Sequence, residues 1–292
     1  VERGQRRALH VCAYGQHHPA LALAGGIGAV DAVEADKLRA VFLQQERRDI
    51  ALPVAQQVQH AAAQRGTVGI GLAVRGIERD GAAAYAAALN AKGVVTSIGH
   101  SDATYDECIA AINAGASCFT HTYNGQRGLH HREPGVVGAA MSTPETYAEI
   151  ICDGKHVNPA AIKALLQAKG WQHTVLITDC LGCGGMPEGS YTSGGMDVIM
   201  KDNLCWLADG KSIAGSVLTL AQGVKNIVDW GIASADIAIR MATEVPARSA
   251  HIEDKCGSIM PGRDADFVVF DHELTLVETY VGGQSVGNAF TE

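Results

Sequence analysis

An α/β chain built on a (β/α)8 barrel is the architecture these 292 residues point to, for three reasons. The length lies slightly above the ~250 residues usual for such a barrel. Beyond residue 66, short apolar runs alternate with helix-like stretches, the pattern of parallel strands joined by crossover helices. Aromatic residues make up only 5% of the chain while glycine contributes 34 positions, which suits close helix–sheet packing. A hydrophobic content of 47% against 18% charged residues supports a sizeable core and excludes a disordered chain. The net charge of −8 and the pI near 5.8 speak against a nucleic-acid partner. No apolar run approaches the ~20 residues of a membrane span, and no signal-type segment opens the chain. Eight scattered cysteines without a paired framework read as reduced thiols. The expectation is a cytoplasmic protein with neither nucleic acid nor membrane as partner.

Three segments follow from composition and pattern: an atypical N-terminal part (1–66), the barrel (67–255) and a small β unit (256–292). The first holds eight Gln, seven Arg and a single Lys, whereas the remainder holds five Gln, seven Arg and eight Lys. Val30–Gln45 and Val54–Gln64 could form amphipathic helices there. Strand Val68–Val74 opens the regular pattern and is followed by helix Gly81–Ala91, strand Gly93–Gly99 and helix Ala103–Ala114. Next come the β-rich Ser117–Thr120 and Tyr147–Cys152, helix Pro159–Lys169 and strand Thr174–Thr178. Val217–Trp230 and Ser234–Thr243 read as helices, the second with a capping Ser and an Asp two places on. Asp264–Phe270 and Leu274–Val281 are hairpin material.

Three of these strands run into a metal ligand or a carboxylate: His100, His121 and Asp179. In a parallel barrel the carboxyl ends converge on one face, so two imidazoles and one carboxylate delivered there suit a divalent metal. Each His alone is more simply a strand cap; three such endings in register favour the metal. Glu78 is read as a solvated charge within Arg75–Asp80, with a site role as its alternative. His156 follows a strand-to-helix turn, Asp153-Gly154-Lys155-His156, where it could polarise a carbonyl, hold a substrate hydroxyl or merely neighbour a helix cap. Arg132 and Lys155 offer positive charge for an anionic substrate or are ordinary solvated charges. Ala214-Gly215-Ser216 could present backbone N–H groups to a polar ligand or simply start a helix. Cys180-Leu181-Gly182-Cys183 has redox-motif spacing without the redox context, and is read as loop cysteines. His130 and His131 are read as exposed loop residues.

Five motifs then occur in order: Gly99-His100-Ser101-Asp102-Ala103-Thr104, Thr120-His121-Thr122-Tyr123-Asn124-Gly125, His131-Arg132-Glu133-Pro134-Gly135, Asp153-Gly154-Lys155-His156 and Ile177-Thr178-Asp179. Together they resemble the N-acetylglucosamine-6-phosphate deacetylase family of the amidohydrolase superfamily, its N-acetylgalactosamine-6-phosphate relatives included. The match covers roughly residues 76–286. The resemblance implies a barrel of the amidohydrolase type with a small β-sandwich unit. It implies His100 and His121 as metal-binding residues, Asp179 as catalytic acid/base, and Asn124, Gly125, Arg132 and His156 as substrate or phosphate contacts. Ile213, Ala214 and Gly215 match a further substrate-contacting loop. One divalent metal is implied, zinc first, with iron, manganese or cobalt as alternatives. So are an amino-sugar phosphate substrate, a homodimer, and acetate and a hexosamine 6-phosphate as products.

The N-terminal part departs from the family. Its Leu-Glu-Gly-Pro motif, which carries a ligand glutamate, and the His-x-His of related first strands are both absent from the sequence. Glu78 matches a different family glutamate, which is not the usual metal ligand. The Arg- and Gln-rich, Lys-poor composition of residues 1–66 suggests translation in another reading frame, which sequencing the locus would test. A catalytically defective remnant is therefore one alternative. Another amidohydrolase chemistry is the second, although the His-x-His and bridging lysine of such sites are not visible.

Overall fold

The structure is a computed structural model and describes residues 70–287, apart from residues 194 and 264. The two helices expected within residues 1–66, and that segment's relation to the barrel, lie outside the described residues.

Five parallel strands form the wall: β1 (Ile70–Arg75), β2 (Val94–Gly99), β3 (Ala116–Phe119), β4 (Tyr147–Ile151) and β5 (Thr174–Ile177). They pair in sequence order, with Val74 opposite Ile98, Ile98 opposite Phe119, Phe119 opposite Ala148 and Ile150 opposite Leu176. Helices connect them: α1 (Ala82–Asn90), α2 (Tyr105–Asn113), α3 (Gly135–Ser142) and α4 (Pro159–Lys169). The local signals are clear for two of these. Thr104 caps α2 by accepting the Glu107 N–H while Glu107 bonds back to the Thr104 N–H. Asn158 caps α4 by accepting the Ala160 N–H, with Pro159 in the first turn. After α2 the chain turns at Gly115 (φ 104°), where an added Cβ would lie 1.8 Å from the Asn90 side-chain nitrogen. Only glycine fits that conformation and that approach.

The core lies between strands and helices. Leu89, Ile98, Cys108, Phe119 and Ala139 pack together under α1–α3. Ile150, Ile162, Leu165 and Leu176 meet Val224, Ile227 and Met241 from the following helices, α5 (Leu220–Asp229) and α6 (Ala235–Ala242); α7 (Glu244–Ser249) comes next. Between β5 and α5 the chain makes a four-stranded antiparallel sheet, β6 (Gly189–Ser193), β7 (Met196–Lys201), β8 (Leu204–Leu207) and β9 (Ile213–Ser216). The end of β9 runs parallel beside the chain leaving β5: the Ser216 N–H donates to Asp179 O, and the Leu181 N–H donates to Ser216 O. A last antiparallel sheet holds β10 (Phe267–Phe270), β11 (Leu276–Val281) and β12 (Gln284–Gly287).

The α/β barrel reading therefore stands, and the wall elements fall within a few residues of expectation. Two readings change. The helix expected from Val217 begins at Leu220, where Thr219 accepts the Gln222 N–H. Ala214-Gly215-Ser216 is not a helix start but the last strand of the antiparallel sheet. That sheet, α3, α7 and the third strand of the last sheet were not expected from the sequence.

Candidate active site

The two histidines and the aspartate sit where wall strands give way to their loops. His100 follows β2 directly, and its carbonyl accepts the Gly76 N–H at 3.1 Å. His121 lies two residues beyond β3, buried, with φ 31°. The two rings meet edge to face with centroids 4.7 Å apart. Asp179, buried with φ 48°, lies two residues beyond β5. Positive φ at both His121 and Asp179 is uncommon for residues other than glycine, and such strain gathers at functional turns.

Gly125 explains why His100 can stand where it does. A Cβ at position 125 would lie 2.6 Å from His100 Nδ1, and Gly125 itself has φ 60°. The glycine thus leaves a cradle that the imidazole fills. Asn124 is anchored to the other histidine, its backbone N–H and its side-chain Nδ2 both donating to His121 O, at 3.0 and 3.2 Å. His100 and Gly125 also line a cavity of about 410 Å³ with Ser101, Asp102, Gln126 and Arg127. In that cavity Arg127 pairs with Asp102 at 3.0 Å, which holds the Asp102 carboxyl below the usual range.

The other expected contacts fall into separate groups. His156 Nδ1 lies 2.6 Å from Asp153 Oδ2, with both side chains largely buried. Burial alone would push the Asp153 carboxyl up. The bonds it accepts from the His156 ring and from the Lys155 and His156 N–H groups instead hold it below the ordinary range. Arg132 is exposed on its loop. The loop is tied down by Glu133, whose Oε1 accepts the N–H groups of Tyr105 and Gly135, at 2.7 and 3.1 Å. Ile213, Ala214 and Gly215 run along β9. Gly215 packs so closely that a Cβ would lie 3.1 Å from Asp179 O and under 3 Å from Leu181.

Glu78 is exposed but not simply solvated, since its Oε2 accepts from Ser101 Oγ at 2.5 Å beside His100. The Cys180–Cys183 segment is a loop, as read. Burial pushes the Cys180 thiol up to about 11, and Cys183 Sγ lies 2.8 Å from Cys205 Sγ. His130 and His131 are exposed.

One residue beneath the site escaped the sequence reading. Glu149, in the middle of β4, is 1% exposed and accepts the His121 N–H at 3.4 Å. Burial first and the Asp179 charge second push its carboxyl up to about 8, against the opposing bond from His121. The available signal was an acidic side chain inside an otherwise apolar strand.

Parallel strands, helices outside them, and two imidazoles with a carboxylate at the strand ends define an α/β barrel of the hydrolase kind. The Amidohydrolase family model matches residues 44–288, and the chain belongs to that family. The match begins inside the compositionally atypical segment. Over 203 residues the chain is 43% identical to an N-acetylglucosamine-6-phosphate deacetylase from Vibrio furnissii, a stretch covering 70% of this chain and 50% of the relative. It is 39% identical over 208 residues to an N-acetylgalactosamine-6-phosphate deacetylase from Escherichia coli O157:H7, covering 71% and 54%. Among solved structures, a mutant N-acetyl-D-glucosamine-6-phosphate deacetylase from Mycobacterium smegmatis, in complex with N-acetyl-D-glucosamine-6-phosphate, superposes with a TM-score of 0.76. The identity is 33%, over 82% of this chain and 63% of that one. The chain thus spans about half the length of the curated relatives it matches. No helix among the described residues is long and apolar enough to cross a membrane.

Proposed function

We propose that the chain hydrolyses the N-acetyl group of an N-acetylhexosamine 6-phosphate, of gluco or galacto type, to acetate and the hexosamine 6-phosphate. The observation that carries this reading is the meeting of His100 and His121, 4.7 Å between ring centroids, at the ends of adjacent wall strands. The deacetylases of similar sequence and structure support the choice of substrate.

The histidine pair fits one edge of a divalent-metal site. Two imidazoles side by side, one seated in the cradle at Gly125, suit zinc, and equally iron, manganese or cobalt. Among the described residues no group of three or more His, Cys, Asp or Glu could hold a metal ion, so the pair stands as a partial donor set. When bound, a divalent ion supplies Lewis acidity toward the acetyl carbonyl and lowers the pKa of water.

The chain's own residues do the rest. Asp179 takes the proton of the attacking water and returns one to the departing amine nitrogen. His156, its Nδ1 committed to Asp153, offers Nε2 to the developing oxyanion. Arg132 holds the 6-phosphate, two of whose terminal oxygens match the guanidinium fork. Asn124, Gly125 and the strand Ile213–Gly215 border the sugar. A cytoplasmic homodimer belongs to the same reading, as does a division of the chain into a barrel (67–255) and a small β unit (256–292).

The test is acetate release from N-acetylglucosamine 6-phosphate and from its galacto epimer, using purified protein with added zinc and an Asp179→Asn control. Turnover that the substitution abolishes is the expected result. Soluble, metal-loaded protein without turnover would overturn the proposal. It would favour a non-catalytic member of the family.

A further inference from the structure

The wall holds a buried carboxyl group that the proposed chemistry leaves unused. Glu149 is flanked in β4 by Ala148 and Ile150, which pack outward against Ile162 and Leu165 of α4. Alternation along the strand therefore turns Glu149 to the opposite, inner face. There it holds two consecutive peptide groups of the neighbouring chain. Its carboxylate Oε2 accepts the His121 N–H at 3.4 Å, and its main-chain carbonyl accepts the Thr122 N–H at 2.8 Å. The segment so held is the turn in which His121 has φ 31° and from which its ring meets His100. A turn of that conformation persists only where its surroundings over-determine it. The second bond belongs to the backbone and survives any substitution; the first depends on the side chain.

We propose that Glu149 is a positioning residue, whose carboxylate oxygen pins the His121 turn against β4 and so sets the affinity of the His100–His121 pair for a divalent cation. This rests on the metal-site reading above. Apolar filling of the same space would serve packing equally well, so packing and hydrogen bonding can be separated by substitution. Glu149→Gln keeps an acceptor oxygen at the same reach, whereas Glu149→Leu and Glu149→Met keep the volume and remove it.

The experiment is a Co²⁺ titration of the full chain, read by visible absorption and by equilibrium dialysis. Circular dichroism serves as the check of folding, and His121→Ala as the ligand control. Loss of a hydrogen-bond partner behind a metal ligand costs ~10–100-fold in affinity, and that weakening is expected for Glu149→Leu, with Glu149→Gln within about threefold of the parent. Glu149→Met takes over should the leucine variant not fold. Folded Leu or Met protein binding Co²⁺ as tightly as the parent would overturn the proposal. Equal losses in the Gln and Leu variants would do the same, because charge and not the acceptor would then matter. A parent chain with no His121-dependent Co²⁺ binding would overturn the metal-site reading itself, an outcome distinct from the other two.

Discussion

The parallel wall and the antiparallel sheet β6–β9 are adjacent in the chain but obey different rules. Strands β2 and β5 are buried along their whole length, and β4 along all but its first residue. Strand β7 alternates between exposed and buried positions, and β6 buries only its last residue. A parallel strand covered on both faces is apolar along most of its length, while an antiparallel strand with one wet face needs only every second residue. The wall delivers His100, His121 and Asp179 just beyond its strand ends, and polar groups within it such as Thr96, Ser97 and Glu149 are buried. The antiparallel sheet reaches the site through β9, whose Gly215 lies against the main chain of Asp179.

That contrast can be broken first at the site. Replacing Asp179 by Asn should lower acetate release by ~10²–10⁴-fold with the fold unchanged, the range expected for losing a general acid/base. Steady-state assay together with circular dichroism checks both halves. Next, Gly125→Ala forces a methyl to within 2.6 Å of His100 Nδ1 at a φ of 60°. It should weaken metal binding by ~10–100-fold, as disturbing the support of a metal ligand does, and do so more than it lowers the melting temperature. A variant with unaltered affinity would show that His100 does not depend on that cradle.

Stability sharpens the comparison further. Ile150→Ala, at a fully buried wall position, should cost ~2–5 kcal/mol in urea unfolding. Ile199→Thr, at a 36% exposed position of β7, should stay within about 0.5 kcal/mol. Similar losses at both sites would erase the distinction between the sheets.

A further effect concerns pH. Lys169 lies buried at the end of α4, donating to Thr143 O and to Thr146 Oγ1, and burial lowers its pKa to about 8. Between pH 8 and its ordinary pKa the unfolded chain holds the proton and the folded chain does not. Stability contributed here therefore rises with pH across that window, by at most on the order of 3 kcal/mol. Denaturation at pH 7.5 and 9.5 should show this rise in the parent chain and a flatter response in Lys169→Met.

How much could be read in advance follows from the same physics. Thr104 with Glu107, and Asn158 with Pro159, announce their helices locally, and Gly93–Gly99 and Thr174–Thr178 announce strands by their β-rich composition. Gly189–Ser193 carries no such mark: its residues are small or polar because half of them face water. Among the site residues, His100, His121 and Asp179 were legible because each ends a recognisable strand. Glu149 was not, because an acid inside a strand is evidence of function only once its burial and its neighbour across the sheet are known.

The sequence by itself thus determined the family, the succession of strands and helices, and the identity of the side chains delivered to the strand ends. Periodicity, capping and motif order are local properties that survive without coordinates. Only the tertiary structure decided that His100 rests in the space left by Gly125, that β9 closes on Asp179, and that Glu149 stands behind His121. Those relations join residues 25 or more positions apart, through contacts and burial that no local pattern encodes.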